Sequence, residues 1–204
     1  MKLYSYVITR DYGFAPNPYY GCCTLATCKP FIRRYAGVGD WVAAFGGAAL
    51  TIHEKMVMLM RVDETITFDQ YWKDRRFLSK RPSYNKGMIH MYGDNIYHYE
   101  NDSWIQSHSH HSMPNGDENS FNLKRDTQTD RVLIAHEFYY FGCNAIAVPC
   151  EYSKYIAHGA GFRKFIEDDN LHNFINYVVD NYDIGIYGAP YSWSDDRFTY
   201  YSGK

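Results

Sequence analysis

The sequence predicts an α+β fold in a single domain: a strongly curved or barrel-like, mainly antiparallel sheet with a few covering helices. Three observations carry this. Short runs of β-branched and aromatic residues recur, separated by Gly, Pro and Asn turns. The chain holds 21 tyrosines within an aromatic content of 18%, and Tyr suits half-exposed pleated surfaces. One segment alone, Glu167 to Tyr182, has sustained helical spacing. A chain of 204 residues buries roughly 70% of its unfolded surface and needs no staples. The expected division is a β-rich core over about residues 1–150 and a helical cover and tail over about 151–204, within one domain.

Leu3 to Thr9 alternates and reads as a strand. Arg10 to Pro18 holds two prolines and a glycine and reads as an ordered loop. Cys22 to Lys29 is a short strand or turn ended by Pro30. Gly39-Asp40 is a tight turn feeding a strand from Trp41 to Phe45, and Gly46-Gly47 permits close approach of a backbone or ligand. Lys55 to Val62 reads as a buried strand with methionine filler. Thr67 and Gln70 form a capping-box pattern that opens a short helix carrying Phe68, Tyr71, Trp72 and Phe77. Tyr92 to Tyr99 suggests a hairpin over a pocket. Val132–Ala135, Phe138–Gly142 and Ala145–Pro149 read as three strands. From Cys150 the pattern turns helical. The helix over 167–182 has acids in its first turn and covers the sheet, and residues after about 188 read as an aromatic tail on the surface.

A formal net charge of −2 argues against bulk electrostatic binding of duplex DNA. No run reaches the ~18 apolar residues of a membrane span. Met1-Lys2-Leu3 opens directly into a strand pattern, and the five cysteines contain no Cys-x-x-Cys pair. A cytoplasmic protein with reduced thiols is expected. Gly-x-Ser-x-Gly, P-loop and Gly-x-Gly-x-x-Gly patterns are absent.

Polar chemistry concentrates in Ser107-His108-Ser109-His110-His111-Ser112 and in the run from Asn122 to Arg131. In a strand, His108 and His110 would share a face and could hold a divalent metal. No second ligand set has diagnostic spacing, so no metal or other cofactor is expected. Asp11, His110 and His111 are the candidate acid–base residues. Arg125 and Arg131 are candidates for phosphate. Arg10 stands with Asp11 at the end of the first strand, Asn122 and Asp126 interleave with the arginines, and Trp41 or Tyr140 could stack on a base. Cys28 and Cys143 could each be activated by a histidine, but buried, inert thiols are expected.

The Gly39-Asp40 turn gives the chain a faint similarity to small barrels of the PUA-like kind, including the ASCH and EVE groups. A broader resemblance rests on Thr9-Arg10-Asp11-Tyr12-Gly13-Phe14-Ala15-Pro16-Asn17-Pro18, Cys28-Lys29-Pro30, Gly39-Asp40-Trp41 and Gly93-Asp94-Asn95-Ile96-Tyr97. It continues in His110-His111-Ser112, Asn122-Leu123-x-Arg125-Asp126-Thr127, Asp130 to Ile134 and Phe138 to Gly142. On these segments the chain resembles the nucleotide modification associated domain 2 family of bacteria and their phages. The resemblance implies a protein acting on a nucleotide or a nucleic-acid base, with no catalytic role fixed to any position. The alternatives are a PUA-like reader of a modified base or free nucleotide, and a partner-binding component of a modification or phage-defence system.

Overall fold

Two sheets share one core, and the strand that joins the ends of the chain lies at the edge of the larger. The computed structural model describes residues 1–193 and 197–203. The strands are β1 (Lys2–Ile8), β2 (Cys23–Leu25), β3 (Trp41–Gly46), β4 (Met56–Arg61), β5 (Glu64–Ile66), β6 (Tyr97–Glu100), β7 (Ser103–Gln106), β8 (Val132–Ala135), β9 (Phe138–Tyr140), β10 (Phe162–Ile166) and β11 (Gly185–Ile186). The helices are α1 (Pro30–Tyr35), α2 (Phe68–Lys73), α3 (Met88–Met91), α4 (Ser120–Thr127) and α5 (Asp169–Val179).

The large sheet runs β10-β1-β3-β4-β9-β11 and the small one β2-β8-β5, with β6-β7 as a separate hairpin. The large sheet is mixed: β1 is parallel to β3 and β9 to β11, while the other pairs are antiparallel. The architecture is α+β, but among the described residues the sheets do not close into a barrel. Their edges remain open at β10 and β11.

Alternation along β1 explains the layering. Leu3 packs with Trp41, Leu59 and the α5 residues Leu171, Phe174 and Val178 on one face. Tyr4, Tyr6 and Ile8 face the small sheet, meeting Cys23, Leu25, Leu133 and Ala135. Beyond the small sheet a third core gathers Phe14, Phe68, Tyr71, Phe77, Tyr92 and Tyr97. Burying an apolar side chain contributes about 1.5–3 kcal/mol, so the sheets are committed on both faces.

Several expectations meet their physical cause. Thr67 and Gln70 form the reciprocal capping box of α2. Gly46 is needed because a Cβ there would lie 2.0 Å from the Ile52 carbonyl oxygen. Asp168 caps α5 by accepting from the Leu171 N–H at 2.7 Å. Other expectations are corrected. Ala145–Pro149 is irregular and contributes a single bridge, Met56 to Ile146. The segment after Cys150 is a short 3-10 turn followed by β10, whose exposed Arg163 and Lys164 hide the strand pattern. The Asn122–Arg131 run begins inside α4, which is capped by the Asn119 side chain. No helix among the described residues is long and apolar enough to cross a membrane.

Arg33 ties α1 to α4. It is fully buried, and its guanidinium donates to the carbonyls of Cys28, Thr129, Arg131 and Asp126 at 2.6–2.9 Å. Lysine cannot span four acceptors with one ammonium. Arg33→Lys should therefore lower unfolding stability by about 3 kcal/mol or more, as for a broken buried charge network. Urea denaturation measures this; a loss below about 1 kcal/mol would show that water replaces the guanidinium.

Candidate active site

A cavity of about 560 Å³ opens at the carboxyl end of β1, between β1, the start of α1, α4 and the C-terminal segment. That volume lies within the usual range for small-molecule sites. Tyr6 to Arg10 form its floor, and Tyr12 and Phe14 extend it along the following loop. Cys28 and Lys29 enter from the turn before α1 and Pro30 from its first residue, Arg125 and Gln128 from α4 and its C-cap, and Gly161 and Phe162 from the entry to β10. His110, His111 and Tyr201 complete it.

Residues 107–112 form a turn rather than a strand, so the three histidines take different surroundings. His108 is exposed, stacked on Tyr84 and 2.9 Å from the Tyr200 hydroxyl. His110 is buried, and its Nδ1 lies 2.6 Å from the Thr199 carbonyl. A carbonyl only accepts, so Nδ1 carries the proton and Nε2 keeps its lone pair. Burial, with His111 beside it, pushes the His110 pKa down to about 3. It is neutral at pH 7.

His111 is the opposite case. Its Nδ1 lies 2.8 Å from Asp126 Oδ2 and its Nε2 3.6 Å from Cys28 Sγ. Burial works against its charge, but the thiolate and carboxylate outweigh burial and raise its pKa to about 9. Burial likewise opposes ionisation of Cys28, yet the neighbouring imidazolium brings the thiol below its ordinary range. Asp126 is fully buried and held at about 2, against its burial, by His111, Arg125 and Arg33.

The backbone presents the thiol deliberately. Cys28 and Lys29 both adopt left-handed conformations, with φ of 54° and 36°. Side-chain-bearing residues rarely take this region, and such strain concentrates at functional positions. The Cys28 N–H donates to Asp126 Oδ1 at 3.0 Å, and its carbonyl accepts from Arg33 Nε at 2.9 Å. Sγ is thereby turned toward the cavity beside Arg125, whose Nη2 lies 3.9 Å away.

Cys28, His111 and Asp126 are also the one group of three metal-type donors brought together among the described residues. Their bonding forms a chain rather than a cage. Asp126 already accepts from His111 and the Tyr97 hydroxyl on Oδ2, and from the Cys28 N–H and Arg125 Nε on Oδ1. His111 uses its second nitrogen on that carboxylate. His108 and His110 join no such group.

Of the residues singled out in the sequence, Arg10, His110, His111 and Arg125 line the cavity. Asp126 stands behind His111. Asn122 lies beneath, donating to the carbonyls of His111 and Tyr201 at 3.0 and 2.7 Å. The other four are elsewhere. Asp11 is buried and accepts from the Tyr140 hydroxyl on both oxygens, at 2.6 and 2.7 Å, and from the Tyr191 and Gly13 N–H groups. Tyr140 is thus its anchor, in the core. Trp41 packs in the core shared with α5, and Arg131 donates to the Arg34 carbonyl and Thr65 hydroxyl.

Of the two thiols weighed for activation by a histidine and expected to be buried and inert, Cys28 is half-buried beside His111 and Cys143 is exposed. Lys29 and Tyr201 were missed. The signal for Cys28 and Lys29 was Cys28-Lys29-Pro30, a motif too short to reveal its left-handed turn. Within the described part of the expected tail, Tyr201 lines the cavity. The Tyr201 N–H donates to the His110 carbonyl at 2.7 Å, and its ring stands between Arg10 and Arg125, 5.2 and 5.3 Å from the guanidinium carbons.

The family model for nucleotide modification associated domain 2 matches residues 1–197. The chain belongs to this family. Searches of curated proteins and of solved structures returned no match. The family's description suggests a role in nucleotide modification. Every cavity-lining residue up to Phe162 lies within the matched span; Tyr201 follows it.

The Cys28 thiolate and, next, the Asp126 carboxylate favour the protonated form of His111. Asp126→Asn should lower the His111 midpoint from about 9 by at least ~1 unit, since one unit corresponds to about 1.4 kcal/mol of differential interaction. Histidine-resolved NMR titration reads this, and an unmoved midpoint would contradict the coupling. In the wild type Asp126 has a depressed pKa, so its stabilising effect is present above its unfolded value. That effect is lost as pH falls from about 4 toward 2, visible as a falling urea midpoint.

Proposed function

We propose that the protein is a nucleotide-modifying enzyme and that the cavity beneath Tyr201 receives the nucleotide. The observation that carries this reading is the character of the lining. Arg10, Lys29 and Arg125 supply three cationic side chains, and His111 adds a fourth cation at neutral pH. No carboxylate lines the cavity among the described residues. Tyr6, Tyr12, Phe14, Phe31, Phe162 and Tyr201 supply rings. A ligand that satisfies such a site is an anion with a flat, apolar body.

Lys29 strengthens the argument for the anion. Its ammonium lies 4.7 Å from the centre of the Tyr6 ring and donates to the Val7 carbonyl at 3.1 Å. Burial holds its pKa below the ordinary range. A partly desolvated ammonium gains more from a phosphate than an exposed one does. In this reading Lys29 and Arg125 hold the phosphate and the aromatic side takes the base. Neutral His110, with its Nε2 lone pair, accepts a hydrogen bond from a base or sugar N–H or O–H.

The relay behind His111 favours an enzyme over a non-catalytic reader. A reader needs shape and hydrogen bonds, not a thiol held between an imidazolium and an arginine.

Calorimetric titration with nucleosides and their 5′-monophosphates tests the reading. Monophosphates should bind at least ~10-fold more tightly than the nucleosides, and Arg125→Met should remove most of that difference, as expected for charge-assisted bonds. Equal affinity for both ligand types, or no binding, would refute the nucleotide site. Mass analysis of the recovered nucleotides then separates the two classes: a changed mass marks an enzyme, and tight binding with no change across the panel marks a reader.

A further inference from the structure

We propose that Cys28, His111 and Asp126 form a nucleophilic relay for acyl transfer, acting on a carbonyl carbon carried by an anionic donor. That the donor is an acylated nucleotide rests on the reading above; the thiol chemistry does not.

The geometry has the three parts such chemistry needs. The nucleophile is presented on a strained left-handed turn, with its N–H and carbonyl fixed by Asp126 and Arg33. The base touches it: His111 Nε2 is 3.6 Å from Sγ, a normal separation for a contact to sulfur in an empty site. The base is oriented by a buried carboxylate at 2.8 Å on its other nitrogen, the arrangement that fixes an imidazole for proton transfer. A fourth element sets the substrate class. The Arg125 guanidinium lies 3.9 Å from Sγ and Lys29 is the next residue along the chain. Fixed positive charge beside the nucleophile stabilises an oxyanion developing on an attacked carbonyl. The same charge disfavours a cationic guanidine or amidine donor.

The step begins from the thiolate–imidazolium pair. Cys28 Sγ attacks the carbonyl carbon, a C–S bond forms, and the C=O π electrons pass to oxygen, facing Arg125. The carbonyl reforms as the C–N bond of an amide, or C–O bond of an ester, breaks. His111 Nε2–H gives its proton to the departing amine or alcohol. The result is a thioester and a neutral imidazole. An acceptor amine, or water in its absence, then attacks the thioester, His111 removes its proton, and the Cys28 thiolate leaves. No oxidant or reductant is consumed.

Two small probes test this on the full chain. Iodoacetamide alkylation, resolved by peptide for each cysteine across pH, should give Cys28 a midpoint below those of the exposed Cys143 and Cys150. His111→Gln should raise the Cys28 midpoint. In the second experiment 4-nitrophenyl acetate should leave one acetyl group on the Cys28 peptide with a burst of nitrophenolate. His111→Gln should slow that burst by roughly 10²-fold, the usual worth of a positioned acid–base group. A Cys28 midpoint equal to those of Cys143 and Cys150, or no acetyl group on Cys28, overturns the proposal. The wild-type arms stand even if the variant fails to fold. Neither probe requires nucleotide binding, so loss of the nucleotide reading would leave these results intact, and failure here would leave the titrations intact.

Discussion

The site depends on one buried guanidinium. Arg33 has no exposed surface, and its hydrogen bonds all go to main-chain carbonyls. Burying such a charge is costly, and it persists only where its donors are satisfied and an opposite charge lies near. Asp126 supplies that charge while its own carbonyl accepts one of the bonds. The cation that fixes the Cys28 turn thus also helps keep the relay's carboxylate ionised. Fold stability and the charge state of Asp126 are coupled through one residue that does not line the cavity.

A second consequence of burial is the division of labour between adjacent histidines. His110 and His111 lie 5.6 Å apart between ring centres, yet one is held neutral and the other charged. The difference is in what each nitrogen meets. A neutral carbonyl gives His110 no reason to hold a second proton. An anion on each side gives His111 two. Repulsion between the rings widens the separation.

Much of the fold was legible because periodicity reports burial. β1, β3, β4, β8 and α5 all carry runs whose spacing matches their final environment. The failures share a different cause. β10 pairs with β1 across some 160 residues, and an edge strand with Arg163 and Lys164 outward has no local signature. Asp11 was recognised as important from its place at a strand end, but its role is to hold Tyr140 and the C-terminal segment rather than to meet a ligand. His111, Arg125 and Asp126, singled out by their chemistry, lie together at the cavity. Cys28 could not be told from Cys143 in the sequence, because a thiol's surroundings depend on which imidazole lies beside it, and His111 is 83 residues away in sequence.

The cavity has residues from β1 on one side and Tyr201 on the other. During synthesis the amino-terminal strand leaves the ribosome long before the segment that completes its pocket. Until then Tyr6, the Cys28 thiol and the rings of Tyr12 and Phe14 stand beside an unfinished wall, and β1 lacks its β10 neighbour. Vectorial folding therefore encloses the cavity only once that later segment has been made. A chain truncated before Tyr201 would retain Cys28, His111 and Asp126 without the ring that closes that side of the cavity.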